Sequence, residues 1–82
     1  MHAWLAKARD RIAAETGQDA ATLDLDPERS EAILELARIA AHESGERTNA
    51  PLVCFLAGLA AGRGGADAED VLDAAAGRPP SA

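Results

Sequence analysis

Residues 48–62 form an unbroken stretch without a charged side chain, and this stretch limits most strongly what the chain can fold into. It falls short of the roughly 20 apolar residues that a membrane-spanning helix needs. Its leucine, alanine and glycine residues leave no polar side at helical spacing, which is typical of a helix buried all round. The sequence therefore predicts a soluble protein in which this segment is the central helix.

The remainder of the chain also favours helices. The 82 residues include 21 Ala and nine Leu, few β-branched residues and no strand-like alternation. A chain of this length has room for one core only, and alanine contributes little to it, so a partner would add stability. We predict an all-α fold, a compact bundle of about four short helices, as a single domain over residues 1–78. Residues 79–82 are predicted to form a frayed tail.

Local signals predict where the helices begin and end. Asp26-Pro27 and Asp67 are typical helix starts, and Asn49 is predicted to cap the third helix. Gly17 is typical of a helix end. The connector after it, at 17–26, is predicted to be extended. The predicted helices cover residues 2–16, 27–42, 52–61 and 68–76.

Charge and cysteine content exclude several kinds of function. Fourteen acidic residues against eight basic ones give a net charge of -6, and the basic residues do not cluster. Nucleic-acid binding needs a concentrated basic surface, and anionic membranes repel such a chain, so we expect neither partner. One cysteine and the lack of a secretory leader predict a cytoplasmic protein.

Motifs that carry chemistry are weak in this sequence. The Gly-Arg-Gly-Gly turn at 62–65 lacks the residues of a phosphate-binding loop, so it is interpreted as a flexible turn, with an anion site as the alternative. Cys54 lies in an apolar run and is interpreted as a packing residue. His2, His42 and Cys54 lack the short spacings of a zinc site. Without a catalytic set or any tyrosine, we predict a non-enzymatic protein with no cofactor.

The candidate binding residues surround the apolar helix. His42 lies near the end of the second helix, where it can stabilise the helix dipole or contact a partner. Arg47 and Arg63 flank the apolar helix and are either solvated, paired with acids or in contact with a ligand. The candidate partner-binding or ligand-binding residues are His42, Arg47, Asn49, Pro51 and Arg63.

A family resemblance rests mainly on residues 41–64. The pattern contains Ala41-His42, Arg47, Ala50-Pro51-Leu52, Phe55-Leu56-Ala57-Gly58 and Ala60-Ala61-Gly62. It resembles a family of small bacterial helical domains of unknown function, which stand alone or are appended to nucleotidyltransferases similar to molybdenum-cofactor guanylyltransferases. The resemblance implies an accessory role in molybdenum cofactor (molybdopterin guanine dinucleotide) biosynthesis and implies no reaction.

Three functional hypotheses follow. The first is a helical accessory domain that binds a protein partner, with a molybdopterin nucleotidyltransferase as the partner that the resemblance implies. The second is a domain or minor enzyme subunit that binds an anionic small molecule between the second and third helices, using His42, Arg47 and Arg63. The third is a self-associating structural module, with a homodimer formed along the groove at Gly58 and Gly62.

Overall fold

A computed structural model describes residues 1–78, and these residues contain helices and no strands. The predicted all-α class with about four helices is confirmed. The predicted tail at 79–82 lies outside the described residues. The helices are α1 (Ala3–Thr16), α2 (Pro27–Ser44), α3 (Asn49–Gly62) and α4 (Ala68–Ala75), with a short 3-10 helix at Ala20–Leu23 between α1 and α2.

The chain divides into two compact units, with the boundary after Ser30 in the first turn of α2. In the first unit, α1 begins beside His2, whose Nδ1 accepts a hydrogen bond from the backbone N–H of Trp4 at 3.1 Å. It ends at Gly17, which adopts a left-handed conformation with φ 74 and donates its N–H to Ala13 O at 2.8 Å. Glycine adopts this conformation without the steric cost that a Cβ brings, so the predicted helix end is confirmed.

The connector of the first unit is partly helical, so the prediction of an extended segment is wrong there. The carboxylate of Asp19 accepts a hydrogen bond from the N–H of Ala21 at 3.1 Å and starts the 3-10 helix, which packs against α1. A short polar side chain that forms a hydrogen bond with nearby backbone stabilises a local turn in place of extended structure. Leu23 and Leu25 are half-buried, and Asp24 pairs with Arg9 of α1.

α2 begins as the sequence predicts and continues further. Asp26 Oδ1 accepts the backbone N–H of Arg29 at 2.7 Å, which satisfies one of the free donors of the first turn. The helix passes the predicted end at His42 and stops at Ser44, whose hydroxyl donates to Ala40 O at 2.6 Å. Gly45, with φ 71, then turns the chain away.

α3 begins earlier than predicted, and its predicted cap is wrong. Asn49 is the first residue of the helix, while Thr48 holds the cap position without a side-chain hydrogen bond. Pro51 falls within the first turn, where a missing N–H costs no helical hydrogen bond. The helix therefore begins at polar Asn49, ahead of its apolar run.

α4 begins at its predicted cap, since Asp67 Oδ1 accepts the N–H of Glu69 at 3.2 Å. After the helix, the guanidinium of Arg78 lies 3.8 Å from Asp73 and 3.7 Å from Glu35 of α2. These ion pairs connect α2 to the end of α4 within the second unit. Val71 and Leu72 of α4 are half-buried, whereas Ala75 is exposed.

Candidate functional site

α3 is divided lengthwise by side-chain size. The small residues on one side are covered: Ala57 is buried, and Ala50, Cys54 and Ala61 are half-buried. The largest apolar side chains lie on the other side with high exposed fractions, namely Leu52 61%, Phe55 69%, Leu56 62% and Leu59 39%. We call these four side chains the outer face of α3. Their steps of three and four place them on one stripe of the helix.

The covered side of α3 packs within the second unit. α3 contacts α4, and the Cys54 thiol lies 3.8 Å from the Ile33 carbonyl of α2, to which it can donate a weak hydrogen bond. Small side chains on that side let helix backbones approach closely. The prediction that α3 is buried all round as a central helix is therefore wrong, because its outer face is exposed.

The outer face is the feature that the sequence interpretation missed. An apolar helix has no polar side to mark which half meets solvent, so the charge pattern does not indicate the exposed half. Side-chain size does carry a signal. Small residues recur at positions 50, 54, 57 and 61, and large ones at 52, 55, 56 and 59, which are two opposed helical stripes.

Cys54 is a packing residue in this arrangement. Burial raises the pKa of its thiol above the ordinary value, since a thiolate loses solvation there. A protonated thiol is a poor nucleophile and a poor metal ligand. Its contact with the Ile33 carbonyl is consistent with a structural role.

The predicted binding residues lie at the two ends of α3. His42, Arg47, Asn49 and Pro51 lie where α2 passes into α3, and Arg63 follows the last residue of α3 at the opposite end. Fourteen helical residues separate the two arginines, which is roughly 20 Å along the helix axis. The structure therefore does not bring Arg47 and Arg63 to one point, and a single small anion would not be reached by both.

Three of these side chains are available to an external partner. His42, Arg47 and Arg63 are exposed, and none takes part in an ion pair or side-chain hydrogen bond among residues 1–78. Asn49 is half-buried, while Pro51 is exposed beside the outer face. α3 thus contains no charged residue and is flanked along the chain by an exposed arginine before it and another after it. The binding roles of these residues stay predictions.

The first unit contains a separate apolar cavity of about 270 Å³. Its walls come from α1 and the connector, and they are Met1, Leu5, Ala8, Arg9, Ile12, Leu23 and Leu25. Arg9 is the one charged residue among them, and it is already paired with Asp10 and Asp24. Hydrogen bonds to these carboxylates raise the pKa of Arg9, and the bond to Asp24 contributes most. The side chains that line the cavity therefore include no unpaired charged group to orient a ligand.

The described part of the chain contains neither a metal-binding cluster of side chains nor a membrane-spanning helix. No three His, Cys, Asp or Glu side chains of residues 1–78 are grouped so that they could hold a metal ion. None of the helices described there has the length and apolar character needed to cross a bilayer.

Comparison with known proteins assigns a family. A search of curated proteins and a search of solved structures gave no significant match. A family profile described as "Domain of unknown function (DUF6457)" matches residues 1–79. The expected resemblance to a domain of unknown function is thereby confirmed, while the bacterial origin and the nucleotidyltransferase association stay predictions. Since the match spans nearly the whole sequence, the chain belongs to the DUF6457 family.

Proposed function

We propose that this chain is a non-catalytic protein-interaction domain whose binding surface is centred on the outer face of α3. The observation that supports the proposal is the placement of the largest apolar side chains of α3 toward solvent, while the stripe of small residues opposite them, at positions 50, 54, 57 and 61, is covered. Monomeric proteins rarely leave a large contiguous apolar patch in water, and such patches commonly mark interaction sites.

The area of this surface is large for so short a chain. The exposed fractions of the four side chains correspond to on the order of 400 Å² of apolar surface. At about 25 cal/mol per Å², covering that area releases on the order of 10 kcal/mol before the entropic costs of association are subtracted. Covering this face therefore supplies a substantial part of the free energy that association needs, and contacts around the face must supply the rest.

The ends of the surface provide specificity. Arg47 and Arg63 are exposed cations that precede and follow the uncharged α3, and His42 is an exposed polar residue five positions before Arg47. Charged rims around an apolar centre select partners and orient them more than they add affinity. The spacing of the two arginines supports an extended protein surface in preference to an anionic small molecule held between α2 and α3.

The partner proposed from the sequence resemblance is a molybdopterin nucleotidyltransferase. The direct test mixes the purified chain with the guanylyltransferase of the same organism and measures co-elution by size exclusion with light scattering. We expect a complex that Arg47→Glu weakens, because the substitution reverses a rim charge. Arg11→Glu is the matched control, since Arg11 is an exposed arginine on α1, in the first unit.

The outcomes separate the parts of the proposal. A complex that tolerates Arg11→Glu and loses affinity with Arg47→Glu supports the partner and the surface. Absence of a complex, with circular dichroism showing a folded chain, rejects the nucleotidyltransferase as partner. A complex equally sensitive to both substitutions would reject the rim of α3 as the contact and indicate a general charge effect.

A further inference from the structure

We infer that the outer face of α3 is covered by a second copy of this chain, in a symmetric homodimer. The inference rests on the proposed function, because it names the occupant of the same surface. In this arrangement the apolar centre joins two copies, and the residues at the ends of α3, including Arg47 and Arg63, stay accessible to a heterologous partner.

The outer face is shaped to fit another copy of itself. Phe55 and Leu59, four residues apart, form a ridge along the helix, and Leu52 and Leu56 form a second ridge beside it. Gly58 and Gly62, also four residues apart and exposed, form a shallow groove next to the first ridge. A symmetric contact requires one surface to supply both partners of each interaction, and here the ridge and the groove lie side by side.

Within residues 1–78, no neighbouring residue fills the groove. A Cβ added at Gly58 or at Gly62 would meet no atom within 4 Å, so neither glycine is required by internal packing. Glycine is nevertheless unfavourable inside a helix compared with alanine. Close approach of a helix from outside the chain explains why side chains are missing at these two positions of an otherwise well-filled apolar helix.

The available area agrees with a small dimer. A standard interface covers roughly 800 Å² on each partner, and the four large side chains supply on the order of half of that. Exposed Pro51, Gly58, Ala60 and Gly62 adjoin them on α3 and continue the uncharged strip. The strip therefore covers less than a standard interface on each partner, and the dimer is expected to be weak.

The charges of the chain give the dimer a distinctive salt dependence. α3 contains no charged residue, so the paired faces bring no like charges into direct contact. Each copy nevertheless carries a net charge of -6, and two copies repel at longer range. Salt screens this repulsion, so the homodimer is expected to strengthen as ionic strength rises. A basic heterologous partner would show the opposite trend.

The test is sedimentation velocity on the full chain, from about 1 µM to about 1 mM protein, spanning the range of specific associations. It is carried out at about 0.05 M and about 0.5 M salt, where screening lengths differ several-fold. The expected result is a monomer–dimer equilibrium whose dissociation constant falls at the higher salt.

Two matched substitutions assign the dimer to the outer face. Leu56→Glu places a charge at the centre of the face and is expected to raise the dissociation constant at least about 30-fold. Leu34→Glu makes the same chemical change on α2 at a leucine that is 68% exposed. Its neighbours one turn away, Glu31 and Arg38, are exposed and charged, so Leu34 does not belong to an apolar strip, and this variant should dimerise normally.

A third substitution separates dimerisation from folding. Gly58→Ala adds a methyl group that the monomer accommodates, so it should weaken the dimer about tenfold or more while leaving the monomer folded. A chain that stays monomeric at every concentration would overturn the inference. The inference would also fail if Leu56→Glu and Leu34→Glu had the same effect, either both keeping the dimer or both abolishing it.

The proposed function fails on a different readout. A monomer that still co-elutes with a partner, and loses it through Leu56→Glu, overturns the homodimer and keeps the outer face as an interaction surface. A dimer that binds no nucleotidyltransferase keeps this inference and removes that partner.

Discussion

Glu35 shows how single residues stabilise the second unit. Its carboxylate accepts a hydrogen bond from Arg38 Nε at 3.1 Å within α2 and lies 3.7 Å from Arg78, which follows α4. The hydrogen bond from Arg38 is the largest influence that lowers the pKa of Glu35, and the charges of Arg38 and Arg78 act in the same direction. One side chain therefore supports its own helix and connects two helices.

The lowered pKa of Glu35 predicts a defined pH dependence. A carboxyl group whose pKa is lower in the folded state adds stability above its unfolded pKa, near 4.5, and that stability is lost as the pH falls through the folded pKa. Glu35→Gln should therefore lower Tm at neutral pH, and the difference from the wild type should vanish in stronger acid. Thermal unfolding followed by circular dichroism at several pH values measures this.

Glu31→Gln is the control for Glu35→Gln. Glu31 is exposed on the same helix, and within residues 1–78 it forms no ion pair. Its substitution should change Tm little at either pH. A Tm difference for Glu35→Gln that is the same at neutral and acid pH would show that the ion pairs of Glu35 are not its cause.

At the level of elements, glycines in this chain have two distinct roles. Gly17 ends α1 with φ 74, a conformation that other residues rarely adopt. Gly58 lies inside α3 with ordinary helical backbone and open space where a Cβ would stand. The same substitution at these two positions should therefore have opposite effects on the stability of the monomer.

We expect Gly58→Ala to stabilise the monomer by up to about 1 kcal/mol, because alanine loses less backbone entropy and favours the helix. Gly17→Ala should destabilise by about 1 kcal/mol, since a Cβ is strained at positive φ. Urea unfolding at low micromolar protein, where association is weakest, measures both. A loss of stability from Gly58→Ala under those conditions would indicate that α3 has an internal neighbour at this position.

For the molecule as a whole, few side chains are removed from water. Among residues 1–78 the buried apolar residues are Ala13, Leu36 and Ala57, and Leu36 is the one large side chain that is almost fully covered, with 1% exposed. Several other leucines are exposed to solvent, as surface residues are. The stability of the chain therefore depends heavily on one leucine of α2 and on whatever covers the outer face.

Leu36→Ala should lower the free energy of unfolding by about 2–4 kcal/mol, because it removes buried methyl groups and leaves a cavity. Leu34→Ala, two positions earlier and 68% exposed, should change it by no more than about 0.5 kcal/mol. Urea unfolding of the two variants gives the comparison. Similar losses in both would mean that Leu34 is covered in solution, for example by another chain.

The all-α class and most helix ends follow from local sequence signals. Gly17, Asp26 and Asp67 could be predicted because each acts through a backbone conformation or a hydrogen bond only a few residues away. Asn49 was misjudged because α3 begins one turn earlier than its apolar run suggests. The polar candidates around α3, such as Arg47 and Arg63, were also identifiable, since they lie at the two ends of an uncharged segment.

The tertiary structure decided which side of α3 is covered. An apolar helix presents no polar side, so its orientation depends on how neighbouring helices fit against it. In this chain α4 contacts α3 and the covered stripe holds the small residues at positions 50, 54, 57 and 61, which leaves Phe55 and Leu56 exposed. The pairing of Arg78 with Glu35 across 43 positions of sequence likewise depends on packing alone. Local signals therefore fixed the helices, and packing between them fixed the surface available for function.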